Sequence, residues 1–141
     1  MSLTTIDIHV GEAPDVRAFL DERIYEYNAQ AIGCRDGEDF HCTLRDESGG
    51  IRAGIFGYTW AGCCYVSHLW VDAARRGRGL GAALLVAAEA HARARRCRVV
   101  FVDTHSFQAP GFYEHMGYAG KAVVMDHPVG HTSMTFAKRL S

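Results

Sequence analysis

Between Val71 and Gly81 the chain reads Val-Asp-Ala-Ala-Arg-Arg-Gly-Arg-Gly-Leu-Gly, with three arginines and three glycines in one short stretch. Glycine lacks a Cβ, so its backbone can approach a ligand closely, and a helix starting at such a turn presents unpaired N–H groups backed by about half a positive charge. Arg75, Arg76 and Arg78 add forked donors matched to phosphate oxygens. The stretch is suited to an anion, and a diphosphate would use both the amides and the guanidinium groups. A second chemistry-bearing segment lies downstream, Ser106-Phe107-Gln108-Ala109-Pro110-Gly111-Phe112-Tyr113-Glu114-His115-Met116-Gly117-Tyr118, where Tyr113 supplies a phenol.

These residues need elements to hold them. Ile6, Ile8 and Val10 share one face of a period-2 pattern, which predicts a strand over Thr4 to Val10. Val16, Phe19, Leu20, Ile24 and Tyr27 recur at helical spacing behind Pro14, predicting a helix from Pro14 to Ala31. Phe40 to Arg45, Ile51 to Thr59 and Cys63 to Val71 are separated by Ser48-Gly49-Gly50 and Ala61-Gly62, as in an antiparallel meander. The Ala- and Leu-rich stretch Gly79 to Arg96 is a helix that begins at the glycine turn and ends in cations suited to its negative pole. Arg98 to Asp103 reads as a strand covered on both faces. A short helix from about Ala109 to Met116, a strand from Tyr118 to Met125, a polar turn at Asp126 to His131 and a strand from Thr132 to Lys138 complete the chain.

The two segments together resemble the GCN5-related N-acetyltransferases (GNAT family). The family's Arg/Gln-x-x-Gly-x-Gly/Ala is matched by Arg76, Gly79 and Gly81, with Gly77, Arg78 and Leu80 between them. Its Ala-x-x-Phe-Tyr-x-x-x-Gly-Phe/Tyr is matched by Ala109, Phe112, Tyr113, Gly117 and Tyr118. Both stand in the family's order, and the likeness runs from about Ile51 to Tyr118. Ser106 stands where the family often has Asn, and Ala73 where Pro is common. The resemblance implies an α/β (α+β) acyl-CoA N-acyltransferase fold: a mixed, mostly antiparallel sheet of about seven strands flanked by helices.

It implies chemistry as well. Residues Arg76 to Gly81 would cradle the diphosphate of acetyl-CoA, the co-substrate, while the strand Cys63 to Val71 bulges and splays so that Leu69, Trp70 and Val71 offer backbone groups to pantetheine. Tyr113 would meet the departing thiolate. The acceptor would be a primary amine, whose ammonium form must lose a proton at a penalty of roughly 4.6 kcal/mol near pH 7. In the resembled enzymes a base on this strand falls at the positions of Ser67 and Tyr65. His68 has the opposite parity and would reach the cleft only through a bulge. Glu22, Glu26, Asp103, His105 or a water are the other candidates, and the sequence does not choose among them.

Composition bounds the rest. At 141 residues, 48% hydrophobic and 22% charged, the chain is expected to be one folded domain over residues 1–141. A net charge of −1 gives no global field for nucleic acid or an anionic bilayer. No apolar run approaches the roughly 20 residues of a membrane span and no leader pattern opens the chain, which points to the cytoplasm. Five cysteines without a Cys-x-x-Cys pair read as free thiols, and Asp126, His127 and His131 as a polar turn near the acceptor, so no metal is expected. Asp36, Glu38 and Asp39 lean the acceptor toward a cation, and the absence of an extra module for a peptide leans it toward a small molecule. The resemblance leaves a homodimer open. Two rivals stand beside this reading. One is a non-catalytic acyl-CoA-binding module. The other is a dinucleotide site, since Gly77-x-Gly79-x-x-Ala82 with Asp103 also fits that fingerprint.

Overall fold

The computed structural model describes residues 5–141. They divide into two compact units, one ending at Arg35 and the other spanning Asp36–Ser141. In the first, residues 5–10 are coil, so the described part of the strand expected over Thr4 to Val10 is absent, and Thr4 lies outside the described residues. Helix α1 (Pro14–Ile32) starts with Pro14 in its first turn, where the missing N–H costs nothing, and stops at Gly33 in the left-handed region (φ 69°). The apolar stripe from Val16 to Tyr27 is more than half exposed at each of its five positions.

The second unit holds a six-stranded sheet in the order β1-β2-β3-β4-β6-β5, built from β1 (Glu38–Arg45), β2 (Ile51–Trp60), β3 (Cys63–Val71), β4 (Val99–His105), β5 (Ala119–Met125) and β6 (Thr132–Arg139). Helix α2 (Leu80–Ala94) connects β3 to β4, and α3 (Pro110–His115) connects β4 to β5. Among the described residues the sheet has six strands where about seven were expected, residues 5–10 being coil. Only β3 and β4 run parallel, which excludes the doubly wound sheet of a dinucleotide fold.

The meander forms where the sequence places its turns. Asp46 closes β1–β2 by accepting from Ser48 N–H, Gly50 N–H and Arg52 Nε. Ala61 and Gly62 both have positive φ (50° and 80°), the signature of a two-residue turn whose twist suits a hairpin. The Asp36 carboxylate accepts from Ala61 N–H at 2.9 Å.

The core lies between one face of the sheet and α2. Leu84, Leu85, Ala88 and Ala92 lie on the buried stripe of that helix, which packs on β2 and β3, and share one core with Ala53 and Ile55 of β2, Cys64 and Val66 of β3, and Val100 and Val102 of β4. A fully buried Leu or Val is worth about 1.5–3 kcal/mol. Strand β4 is covered on this face alone: Val100, Val102 and Thr104 are buried while Asp103 between them is exposed, so the expected two-sided cover is not there. No helix among the described residues is long and apolar enough to cross a membrane.

Candidate functional site

The glycine turn is shaped by its own backbone. Asp72 N–H donates to Arg52 O at 2.8 Å, a single 3-10 turn at Ala73–Arg75 follows, and Gly77 and Gly79 take φ of 76° and 77°. Side chains with a Cβ rarely adopt that region, which is why glycine stands at both places. Gly79 is the N-cap of α2 and no side chain caps that end. The first helical bond is Ala83 N–H to Gly79 O at 3.0 Å, so the N–H groups of Leu80, Gly81 and Ala82 precede any helical partner. A Cβ placed on Gly77 or Gly79 would meet nothing within 4 Å, leaving open space before these amides.

The three arginines are not equivalent. Arg75 is tied to Asp72 at 3.0 Å, and Arg76 Nε donates to Val71 O at 3.0 Å. Arg78 is the cation of this turn that makes no ion pair or side-chain hydrogen bond among the described residues.

Strand β3 supplies the second component. Its register against β2 shifts between Phe56 and Gly57: Phe56 opposes His68 while Gly57 opposes Val66, so Ser67 is the extra residue of a bulge. Gly57 is required there, because a Cβ would come within 2.4 Å of the Phe40 ring and 2.7 Å of Tyr65 O. On its other side β3 pairs with β4 only from Cys63↔Val99 to Val66↔Val102. Beyond that point β3 runs on to Val71 and β4 to His105, forming a fork. Asp72 N–H bonds β2, so strand alternation turns the backbone of Leu69 and Val71 into the fork and that of Trp70 toward β2. The Trp70 side chain is half exposed on the face away from α2.

The third component is α3. Tyr113 is 6% exposed and packs beside Phe112, Tyr118 and Phe136. Its hydroxyl has no hydrogen-bond partner among the described residues, and burial pushes its pKa up to about 12. The phenol thus stays protonated with an unused donor. The components converge at Gly81, whose Cβ position lies 3.6 Å from the Phe112 ring and 3.8 Å from Val71 Cγ2.

The remaining candidates separate. Through the bulge His68 reaches the face of the sheet opposite α2, where its ring meets the edge of Phe56 and its Nδ1 lies 2.8 Å from Ser67 Oγ. Asp103 is on the same face, and Tyr65 and Thr135 donate to it. His105 Nδ1 donates to His127 O at 2.8 Å, since a carbonyl can only accept, and its ring stacks on Phe107. Glu22 and Glu26 lie on α1, bonded to Arg23 and Arg35. Ser106 accepts from Thr132 N–H, holding the loop before α3 to β6. Asp126 caps its own turn through Gly130 N–H, and no group of three or more His, Cys, Asp or Glu among the described residues could hold a metal. Sequence reasoning missed Glu89, 3% exposed on the apolar stripe of α2 and bonded to Tyr118 and Lys138. A lone acid among Leu84, Leu85, Ala88 and Ala92 was the signal that could have found it.

Comparison with known proteins agrees with this architecture. Residues 6–118 match the Acetyltransferase (GNAT) family. The chain is 43% identical over 95 residues to blasticidin-S acetyltransferase of Streptomyces morookaense, covering 67% of this chain and 70% of that protein. The crystal structure of an acetyltransferase from Bacillus cereus superposes with a TM-score of 0.79 at 32% identity, covering 96% of this chain and 98% of that one. An aminoglycoside 6'-N-acetyltransferase complexed with coenzyme A shares the fold, with a TM-score of 0.64 at 16% identity over 72% of this chain and 73% of that one. With the family match spanning most of its length and a sheet whose one parallel pair forks beside a glycine turn, the chain belongs to the acetyltransferase (GNAT) family.

Proposed function

We propose that this protein transfers the acetyl group of acetyl-CoA to a primary amine of a small molecule. The observation that carries the reading is the convergence at Gly81, where the uncapped start of α2, the end of β3 and the helix bearing Tyr113 come within van der Waals reach. A ligand with a diphosphate at one end and a reactive sulfur at the other suits that arrangement.

In this reading the N–H groups of Leu80 and Gly81, with Arg76 and Arg78, hold the diphosphate. The pantetheine arm pairs with Leu69 and Val71 in the fork, and an N–H of that stretch faces the thioester oxygen as it becomes an oxyanion. The amine, having lost one proton, attacks the carbonyl carbon. The C–S bond breaks and the electron pair leaves on sulfur. Tyr113 donates a hydrogen bond to that thiolate and gives up its proton only as desolvation raises the thiol's affinity for it. His68, Asp103 and His105 lie on the face from which a proton acceptor would act, whereas Glu22 and Glu26 are engaged in ion pairs. The blasticidin-S acetyltransferase relative supports a small-molecule acceptor over a protein tail.

Calorimetric titration with acetyl-CoA, followed by a screen of amines for thiol release, tests the reading. Binding together with thiol release from at least one small amine is the expected result. No heat of binding would overturn it, and binding without release across the screen would leave an acyl-CoA-binding module.

A further inference from the structure

The fork has two faces, and they carry opposite chemistry. On the α2 side Val100, Val102 and Thr104 are buried, and Phe136, which pairs with Val102, packs against Tyr113. On the other side the first residue of β4 past the last β3–β4 pair is Asp103. Its carboxylate receives Tyr65 Oη on Oδ2 at 3.0 Å from the facing strand and Thr135 Oγ1 on Oδ1 at 2.5 Å from β6. Both donors are neutral hydroxyls. The group is exposed, and no Lys, Arg or His pairs with it among the described residues, although Asp46, Asp72 and Glu89 each have a cation within 3.1 Å. Burial and the bond to Asp103 push the Tyr65 phenol up, keeping it a donor. Two hydroxyls on two strands thus fix a carboxylate in one orientation and leave its charge unanswered.

We propose that Asp103 is the anion that receives the cationic amine acceptor, which enters the fork from the face opposite Tyr113. The inference rests on the acetyl-transfer reading and deepens it: the acceptor is a compound that arrives as an ammonium ion, and Asp103 selects for it. The position suits two moments of the reaction. An incoming ammonium is drawn to the carboxylate, and once neutral nitrogen has attacked the carbonyl it becomes cationic again beside the same charge. Asp103 neither makes nor breaks a bond. It acts through charge and position, and Tyr65 and Thr135 act by holding it.

The test compares the wild type with Asp103→Asn, which keeps the shape and removes the charge, and with Tyr65→Phe, which frees one oxygen. Thiol release is followed with acetyl-CoA and blasticidin S, spermidine or kanamycin as acceptor, at low and high salt. The expected result is that Asp103→Asn raises KM for the amine at least tenfold, leaves the calorimetric affinity for acetyl-CoA unchanged, and abolishes the rise of amine KM with salt seen in the wild type. Tyr65→Phe falls between. The salt response separates a charge effect from a packing defect. An amine KM and salt response unchanged in Asp103→Asn would overturn the inference while leaving acetyl transfer intact. Failure of the wild type to release thiol with any of the three would overturn this inference together with the acetyl-transfer reading. Loss of acetyl-CoA binding in Asp103→Asn would also overturn it, since the carboxylate would then be supporting the fork.

Discussion

Tyr118 Oη donates to Glu89 Oε2 at 2.7 Å, with both side chains nearly excluded from water. Lys138 Nζ donates to the other carboxylate oxygen at 3.1 Å and to Met116 O at 3.1 Å. One buried acid therefore ties α2 to the turn after α3 and to β6, around the helix that carries Tyr113. Removing one partner of a buried pair strands the other, so Glu89→Ala should lower stability by about 3 kcal/mol. Tyr118→Phe leaves the acid one bond short and should cost about 1–3 kcal/mol. Urea unfolding of the singles and the double checks this. Strict additivity would show that the groups do not act as one network.

Tyr113→Phe removes only a hydroxyl that has no hydrogen-bond partner among the described residues, so the fold should lose little. If that hydroxyl donates to the leaving sulfur, kcat should fall about 10²-fold or more while acetyl-CoA affinity barely changes. Steady-state kinetics with a titration of the cofactor separates the two quantities. Full turnover in the variant would remove Tyr113 from the reaction.

The arginines of the glycine turn should differ in weight. Arg78 has no ion-pair or side-chain hydrogen-bond partner among the described residues, which leaves its donors for phosphate, whereas Arg75 is spent on Asp72. Losing a charge-assisted hydrogen bond costs about 1.5–3 kcal/mol, hence Arg78→Ala should weaken acetyl-CoA binding at least tenfold and Arg75→Ala much less. Gly79→Ala combines about 1–2 kcal/mol of left-handed strain with a methyl group in front of the amides. Calorimetry on the three variants ranks them, and equal losses for Arg75→Ala and Arg78→Ala would contradict the assignment.

Most of the fold was legible because its helices and strands obey local rules. The bounds expected for β3 are those found, and α1 and β2 agree to within one residue, since Pro14, Ala61-Gly62 and the period-2 runs leave few alternatives. The glycine turn was legible because spacing alone fixes which amides open α2. What sequence could not give depends on pairing between distant segments. The family resemblance implied a bulge in this strand, but placing it at Ser67 needs the register of β2, and it is this bulge that moves His68 to the face opposite α2. The triad of Tyr65, Asp103 and Thr135 joins three strands, and no spacing in the chain announces it. Residues 5–10 carry a strand pattern but are coil, since alternation alone does not supply the neighbouring strand that a ladder needs.

The bulge also makes a stability prediction. Gly57→Ala would put a methyl against the Phe40 ring and the backbone oxygen of Tyr65, and that oxygen cannot yield without moving β3. Overpacking of this kind costs about 1–3 kcal/mol. Thermal denaturation should show a lowered midpoint, and an unchanged one would mean that the bulge accommodates a side chain.

Alkaline pH should unfold this protein in a defined order. Burial pushes the Cys64 thiol up to about 12 and raises Cys97; among the phenols, Tyr113 rises to about 12, and Tyr65 and Tyr118 rise as well. In the unfolded chain thiols ionise near 8.5 and phenols near 10, so above those values the unfolded state binds fewer protons than the native state and stability falls as pH rises. The loss should begin at about pH 8.5 through the cysteines and steepen above about pH 10 through the tyrosines. Tyr113 alone should account for a loss of the order of 2 kcal/mol by about pH 12. Urea midpoints measured from neutral pH to about pH 11 should therefore fall less steeply above pH 10 in Tyr113→Phe than in the wild type. Parallel curves would mean that the phenol is wetter than its packing against Phe112, Tyr118 and Phe136 implies.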